Sequence, residues 1–269
     1  MAAVFWAFIV LLGGLAASCL WRRFGGCGVG WGALRMLAGE LLAMLAVAAI
    51  WCVETPLRRL TRPFTRPSLA PSGGRPVIFV HGFMLTPWSM GLLARRVRRA
   101  GHGPVLFLDY RPALGAIDGF AGQLARLLTR VAPDGPVDIV AHSMGGLIAA
   151  RCMGDHPGRV RRLVAVGTPF HGTVAPGPAI SRSIPQMRPD SGFLRETLMA
   201  AGFAGHGGVT CILSRADRVV VPYPTARLEW AANVELDGLG HNALLFSGRV
   251  AQAVCAALAE KKGRHPECG

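Results

Sequence analysis

Two apolar stretches open the chain. Residues 2–21 (AAVFWAFIVLLGGLAASCLW) carry no charge, and as a helix a stretch of that length spans about 30 Å, the thickness of a bilayer core. Met36–Val53 is similar, interrupted only by Gly39 and Glu40. The first stretch reads as a transmembrane helix. The second reads as another, with a buried core helix as its alternative. A cleaved secretory signal would also explain the first, but Met1–Phe5 lack the positive residues such signals carry. Ala16-Ala17-Ser18-Cys19 only faintly resembles a lipoprotein processing site.

Beyond Val53 the pattern changes. Prolines at 56, 63, 67 and 71, then Ser72-Gly73-Gly74 and Pro76, mark residues 54–75 as a linker. Short apolar runs then alternate with helical patterns. Val77–Val80, Val105–Leu108, Val137–Val140, Leu163–Val166, Val209–Leu213 and Val234–Leu236 read as strands. The first four are nearly unbroken apolar runs, as parallel strands covered on both faces require. Leu92–Ala100, Gly119–Val131, Met144–Gly154, Pro224–Ala231 and Ser247–Glu260 read as helices. This alternation predicts an α/β domain over 76–269, a mostly parallel sheet flanked by helices and joined by right-handed crossovers. Residues 174–208, rich in Pro and Gly at their start and with a short helix near Phe193–Ala201, are long for a connection. A lid over the site is the reading that length favours, and a structural excursion is the alternative.

Composition changes this picture little. The net charge is +14, and every basic residue except Lys261 and Lys262 is arginine. Arg58, Arg59, Arg62 and Arg66 suit anionic lipid headgroups beside the anchor, whereas Arg95, Arg96, Arg98 and Arg99 read as a solvated helix face. No basic run is interleaved with aromatics, so nucleic acid is not an expected partner. Arg22, Arg23 and Arg35 precede the second stretch and the Arg58–Arg66 cluster follows it, so the positive-inside rule pulls both ways. Cys19 and Cys52 fall in apolar stretches and Cys152, Cys211 and Cys255 in predicted elements. They read as small buried hydrophobes, not as a disulfide framework or metal site.

The chemistry is concentrated in Val137-Asp-Ile-Val-Ala-His-Ser-Met-Gly-Gly146, where an apolar strand runs straight into a helix pattern. A nucleophile elbow needs this strand–turn–helix setting, with small residues two before and two after the nucleophile. Here those are Ala141 and Gly145 around Ser143. A serine needs a base, oriented by an acid, in the chain order Ser, Asp or Glu, His. Among the later histidines, His171, His206 and His241 fall in loops. His241 follows the last predicted strand, where an α/β sheet places its site. Asp217, just beyond Val209–Leu213, is the preferred acid, and Asp237 is second. An oxyanion hole needs two N–H groups: Met144, after the serine, and Phe83, in the Val80-His81-Gly82-Phe83 loop after the first strand. His81 precedes the serine and reads as support for that loop, although it could be considered as a base.

Phe79-Val-His-Gly-Phe83, Ala141-His-Ser-Met-Gly-Gly146, Gly167-Thr-Pro-Phe-His-Gly-Thr173, Ser214-Arg-Ala-Asp217 and Gly238-Leu-Gly-His241 together resemble bacterial lipases and esterases of the α/β-hydrolase superfamily. The resemblance covers about Pro76–Glu260. It implies ester hydrolysis through an acyl-enzyme at Ser143, Asp217 and His241, without a cofactor or metal, and with His81, His142 and His171 near the substrate. The expectation is a membrane-anchored lipase or carboxylesterase acting on a lipid or other ester. A thioesterase, an acyltransferase or a non-catalytic module of the same fold are the alternatives. Residues 1–53 are the expected anchor, in a bacterial inner membrane, with the periplasmic side slightly favoured for the catalytic domain. Every candidate site residue lies between Phe83 and His241, so anchor and domain are expected to work separably.

Overall fold

A computed structural model describes residues 31–60, 74–175, 180–204 and 208–259. The first apolar stretch, 2–21, lies outside the described residues, as do 61–73 of the linker. Six parallel strands form one sheet: β1 (Val77–Val80), β2 (Val105–Leu108), β3 (Val137–His142), β4 (Val160–Val166), β5 (Val209–Ser214) and β6 (Ala232–Leu236). Their spatial order is β2-β1-β3-β4-β5-β6. Following α1 (Trp31–Leu60), the helices are α2 (Gly91–Arg99), α3 (Ile117–Val131), α4 (Met144–Asp155), α5 (Ser183–Gln186), α6 (Gly192–Ala204) and α7 (Gly248–Ala259).

The unbroken apolar runs serve two cores. Alternate residues of β1 divide between them. Ile78 and Val80 join Ile139, Ala141, Leu163 and Ala165 beneath α3, α4 and α6. Val77 and Phe79 join Val140, Val164 and Ile212 beneath α2 and α7. Side chains alternate across a strand, so covering both faces demands apolar residues at every position. The connection after β1 runs over one face and that after β2 over the other, so the order reverses between β1 and β3. Such a switch point opens a crevice at the carboxyl ends of the strands.

Three expected boundaries move. Pro224–Ala231 is not an α-helix. Only Tyr223–Ala226 forms a 3₁₀ turn, and Arg227 is already extended. Pro222 and Pro224 supply no N–H to continue a helix. The segment 174–208 contains the crossover that two parallel strands require. Helix α6 within it buries Leu194, Thr197 and Ala201 and packs on α4, so it joins β4 to β5 as part of the body. Just before α6, Gln186 accepts from the Ile117 N–H at 2.7 Å and donates to Asp118 at 2.6 Å. Helix α1 begins at Trp31 and runs through Pro56 to Leu60, so the first part of the expected linker is helical.

Gly32–Glu54 is long and apolar enough to cross a membrane. It has two faces. Ala43, Val47 and Ala48 are buried, on a helix that packs along the 3₁₀ turns Pro87–Met90 and Ala243–Phe246. Leu41, Leu42, Leu45 and Val53 are exposed. Elsewhere Cys152 and Cys211 are buried free thiols whose pKa burial pushes up to about 12. They behave as small hydrophobes.

Candidate active site

Ser143 occupies the sharp turn between β3 and α4, with φ 54° and ψ −128°. A residue with a Cβ rarely adopts that backbone, and it persists only where its surroundings hold it. Here the Ser143 N–H donates to the Val166 carbonyl at 2.9 Å, and the Ser143 carbonyl accepts from the Gly146 N–H at 3.0 Å. The hydroxyl makes no hydrogen bond among the described residues.

The loop after β1 presses against this turn. A Cβ added to Gly82 would lie 2.9 Å from the Ser143 Cβ and 3.1 Å from His142 Nδ1, so only glycine lets the chain pass so close. Tyr110 fixes the loop from behind. Its hydroxyl donates to the carbonyls of Gly82, at 2.8 Å, and His81, at 3.0 Å, while its ring stacks on His81 with centroids 4.2 Å apart. Burial raises the Tyr110 pKa well above its ordinary value, so the phenol stays protonated and keeps donating. His81 Nδ1 lies 3.0 Å from the Gly82 carbonyl; since a carbonyl only accepts, Nδ1 carries the proton. His81 thus braces this loop. Tyr110 has no motif around it and no sequence signal, because its partners are backbone atoms far along the chain.

Asp217 and His241 meet directly, with His241 Nδ1 2.7 Å from Asp217 Oδ2. The other carboxylate oxygen, Oδ1, accepts from the N–H groups of Val219 at 2.8 Å and Val220 at 2.9 Å. Both oxygens are therefore committed, and the aspartate cannot rotate away without orphaning buried donors. Gly167, at φ +57°, sits where a Cβ would meet Asp217 and His241 each at 3.4 Å. Burial alone would lower the His241 pKa. The bonded Asp217 carboxylate, aided by Glu40, outweighs this and holds it above the ordinary histidine value.

His142, the residue before Ser143, lies against His241. Its ring centroid is 4.7 Å from that of His241, and its Nε2 is 3.2 Å from the His241 carbonyl, which makes Nε2 the protonated nitrogen. Burial, then the proximity of His241, depress the His142 pKa well below the ordinary value, so this imidazole is neutral. Asp237 is far from this arrangement in character: its side chain is 74% exposed and faces Arg215 at 3.8 Å. His171 is exposed, with its N–H donating to the Thr225 carbonyl. Among the described residues, no hydrogen bond or ring contact joins it to Ser143, Asp217 or His241.

A family model for the α/β hydrolase fold matches residues 110–211, from the end of β2 into β5. The chain has the α/β-hydrolase fold. Solved structures agree with the α/β-hydrolase architecture at low identity. A mature lipase of Bacillus licheniformis is 17% identical, superimposes with a TM-score of 0.56, and matches over 73% of this chain and 95% of its own. A carboxylesterase of Nitrososphaera gargenis is 14% identical with a TM-score of 0.53, over 69% and 90% of the two chains. A monoacylglycerol lipase of Paleococcus ferrophilus is 15% identical with a TM-score of 0.50, over 69% and 94%. In this fold Ser143, Asp217 and His241 all lie just beyond carboxyl ends of strands, as does Gly82.

Proposed function

We propose that this α/β-hydrolase is a serine esterase of the lipase type. Its nucleophile is Ser143, its base His241 and its orienting acid Asp217. The reading rests above all on the 2.7 Å bond between His241 Nδ1 and an Asp217 carboxylate that has no freedom to leave. That bond leaves Nε2 of a neutral His241 as an acceptor. As Ser143 Oγ attacks the acyl carbonyl, Nε2 takes the hydroxyl proton, and Asp217 stabilises the imidazolium that forms. The tetrahedral oxyanion accepts from the Phe83 and Met144 N–H groups, each such donor being worth about 3–4 kcal/mol. Met144 opens helix α4, where first-turn N–H groups have no intrahelical acceptor. Collapse expels the alkoxide, which takes the proton from His241. Water then attacks the acyl-serine by the same steps and releases the acid.

The substrate class we infer is an ester presented at a lipid surface. Supporting this is the outer face of α1, where Leu42 is 67% and Leu41 58% exposed. The inner face of the same helix lies on the catalytic body, so lipid reaches α1 from one side only. A helix in that position rests in the membrane interface with its apolar face inward to the lipid. On this reading the helix over 36–53 is interfacial, although it is also long and apolar enough to span.

The test is labelling with a fluorophosphonate probe together with a hydrolysis panel across acyl length, using the full chain in detergent. Wild type should be labelled, Ser143→Ala should not, and esters should turn over with water as the acceptor. An unlabelled wild type that hydrolyses nothing would leave a non-catalytic module of this fold. Product transfer to added alcohol in preference to water would make it an acyltransferase.

A further inference from the structure

Glu40 is the acidic residue that interrupts the apolar pattern of α1. Its carboxylate is spent entirely on the residues that follow His241. Oε1 accepts from the Asn242 N–H at 3.0 Å and from Asn242 Nδ2 at 2.9 Å. Oε2 accepts from the Ala243 N–H at 3.0 Å and shares the Asn242 N–H at 3.1 Å. Gly240 has no Cβ, and one placed there would collide with this carboxylate. The approach is therefore shaped on both sides.

The histidine loop has three fastenings. Ser214 Oγ donates to the Leu239 carbonyl at 2.6 Å. His142 Nε2 donates to the carbonyl of His241 itself. Glu40 takes the next two N–H groups. The first two fastenings come from β5 and β3, inside the catalytic body, and hold carbonyls. The third comes from α1 and holds donors that open the 3₁₀ turn Ala243–Phe246. Without it, the Asn242 and Ala243 N–H groups lose their acceptor, and the next hold on the chain after His241 is the burial of Leu244 and Leu245.

We propose that Glu40 is a positioning residue for His241, so that hydrolysis depends on helix α1 being seated on the catalytic body. The proposal rests on the assignment of His241 as the base. The energetic logic is simple. A carboxylate within an apolar helix is costly unless it is fully bonded, and here every bond it makes is to the two residues beyond the histidine. A loosened loop lets the imidazole drift from the line between Asp217 and Ser143, and misplacement by about 1 Å can cost on the order of 10²-fold in rate. Glu40 also adds negative charge near His241. The charged or titratable groups acting on that ring are Asp217 from the β5 loop, His142 from β3 and Glu40 from α1.

The experiment compares full-length wild type, Glu40→Ala, Glu40→Gln and Glu196→Gln in detergent on a short, water-soluble ester. It measures kcat, KM, thermal stability and the acid limb of kcat/KM. Glu40→Ala should lower kcat by about tenfold to a hundredfold with KM little changed, and should move the acid limb to lower pH. Glu40→Gln keeps acceptor oxygen for Asn242 while losing the charge, so it should recover most of kcat yet retain the shifted limb. Glu196→Gln, at an exposed carboxylate on α6, should match wild type. If Glu40→Ala cannot be obtained folded, the Gln variant alone still reads the limb. The proposal is overturned if kcat stays within threefold and the limb does not move, including the case where only thermal stability falls. Ser143→Ala, run beside them, separates the two ideas. Turnover surviving in Ser143→Ala defeats the hydrolase reading itself, while a dead Ser143→Ala beside an unaffected Glu40→Ala defeats only the seating of His241.

Discussion

Replacing Asp217 with asparagine tests the geometry of the site more sharply than deleting the serine, because it changes one atom and leaves the shape. Asp217 Oδ1 accepts two N–H groups, from Val219 and Val220, and Oδ2 accepts one, from His241. Asparagine has one acceptor oxygen, and two orientations compete for it. With the oxygen towards Val219 and Val220, both buried donors stay satisfied and the amide NH₂ faces His241 Nδ1. With the oxygen towards His241, the NH₂ meets two N–H groups head on, leaving two donors unpaired at about 1–3 kcal/mol each. The first orientation wins by several kcal/mol. It obliges Nδ1 to accept, which moves the imidazole proton to Nε2, where a proton from Ser143 would have to go. The expected loss is about 10⁴-fold in kcat, or about 5 kcal/mol of transition-state stabilisation at roughly 1.4 kcal/mol per decade. Thermal stability should fall only slightly. The assay is steady-state hydrolysis of a soluble ester with a parallel melt, and Asp237→Asn as comparator. The exposed Asp237 should tolerate the change. A kcat for Asp217→Asn within tenfold of wild type, or a larger effect at Asp237, would refute the tautomer argument.

Three further outcomes are expected. Gly82→Ala places a methyl 2.9 Å from the Ser143 Cβ and should reduce kcat by about 10²-fold with the melt little altered, read by the same assay. Wild-type kcat/KM should fall on an acid limb above the ordinary histidine pKa of 6.5, because Asp217 and Glu40 hold the His241 pKa up and only neutral His241 can accept a proton; a limb below 6.5 contradicts this. His142 has the opposite sign: its folded pKa is depressed, so its contribution to stability is present above its unfolded value of 6.5 and is lost as pH falls through the folded one. Melts of His142→Gln against pH should therefore slope less steeply below 6.5 than wild type.

The sheet was legible because strands covered on both faces are apolar at nearly every position, and the first four announce themselves in that way. Their ends were less so. β4 begins at Val160, before Arg161 and Arg162, since Arg161 is held against Asp138 of β3 at 2.5 Å and two arginines conceal a strand from an apolar count. The elbow and the loops bearing Asp217 and His241 could be placed because strand, turn and helix signals bracket them. His171 could not be judged from its motif, as exposure depends on where the 3₁₀ turn Tyr223–Ala226 lies. The crossover helix α6 was visible as a helical pattern, but its duty was not, because packing on α4 is a relation between segments far apart in sequence. Tyr110 and Glu40 were illegible as site residues for one reason. Tyr110 hydrogen-bonds only to backbone carbonyls, and Glu40 to two backbone N–H groups and one amide, and such partners leave no pattern in the side chains.

Glu40 also bears on how the chain divides. Pro and Gly between the apolar helix and β1 suggest a tether, and a tethered domain needs nothing from its anchor except proximity. Both cores are built from residues 77–258, so the catalytic body has what it needs to fold without α1. The site does not share that independence. The donors of Asn242 and Ala243 lie at the surface of the body, and removing α1 gives them to water at little cost in stability. Water satisfies a donor without fixing its position, whereas the Glu40 carboxylate does both. On the proposal for Glu40, stability and activity would be supplied by different parts of the chain. A helix that covers the loop beside the base on one face and offers leucines on the other joins substrate access to site geometry through a single element. On the proposed reading, contact with lipid would act on His241 without any change in the sheet beneath it.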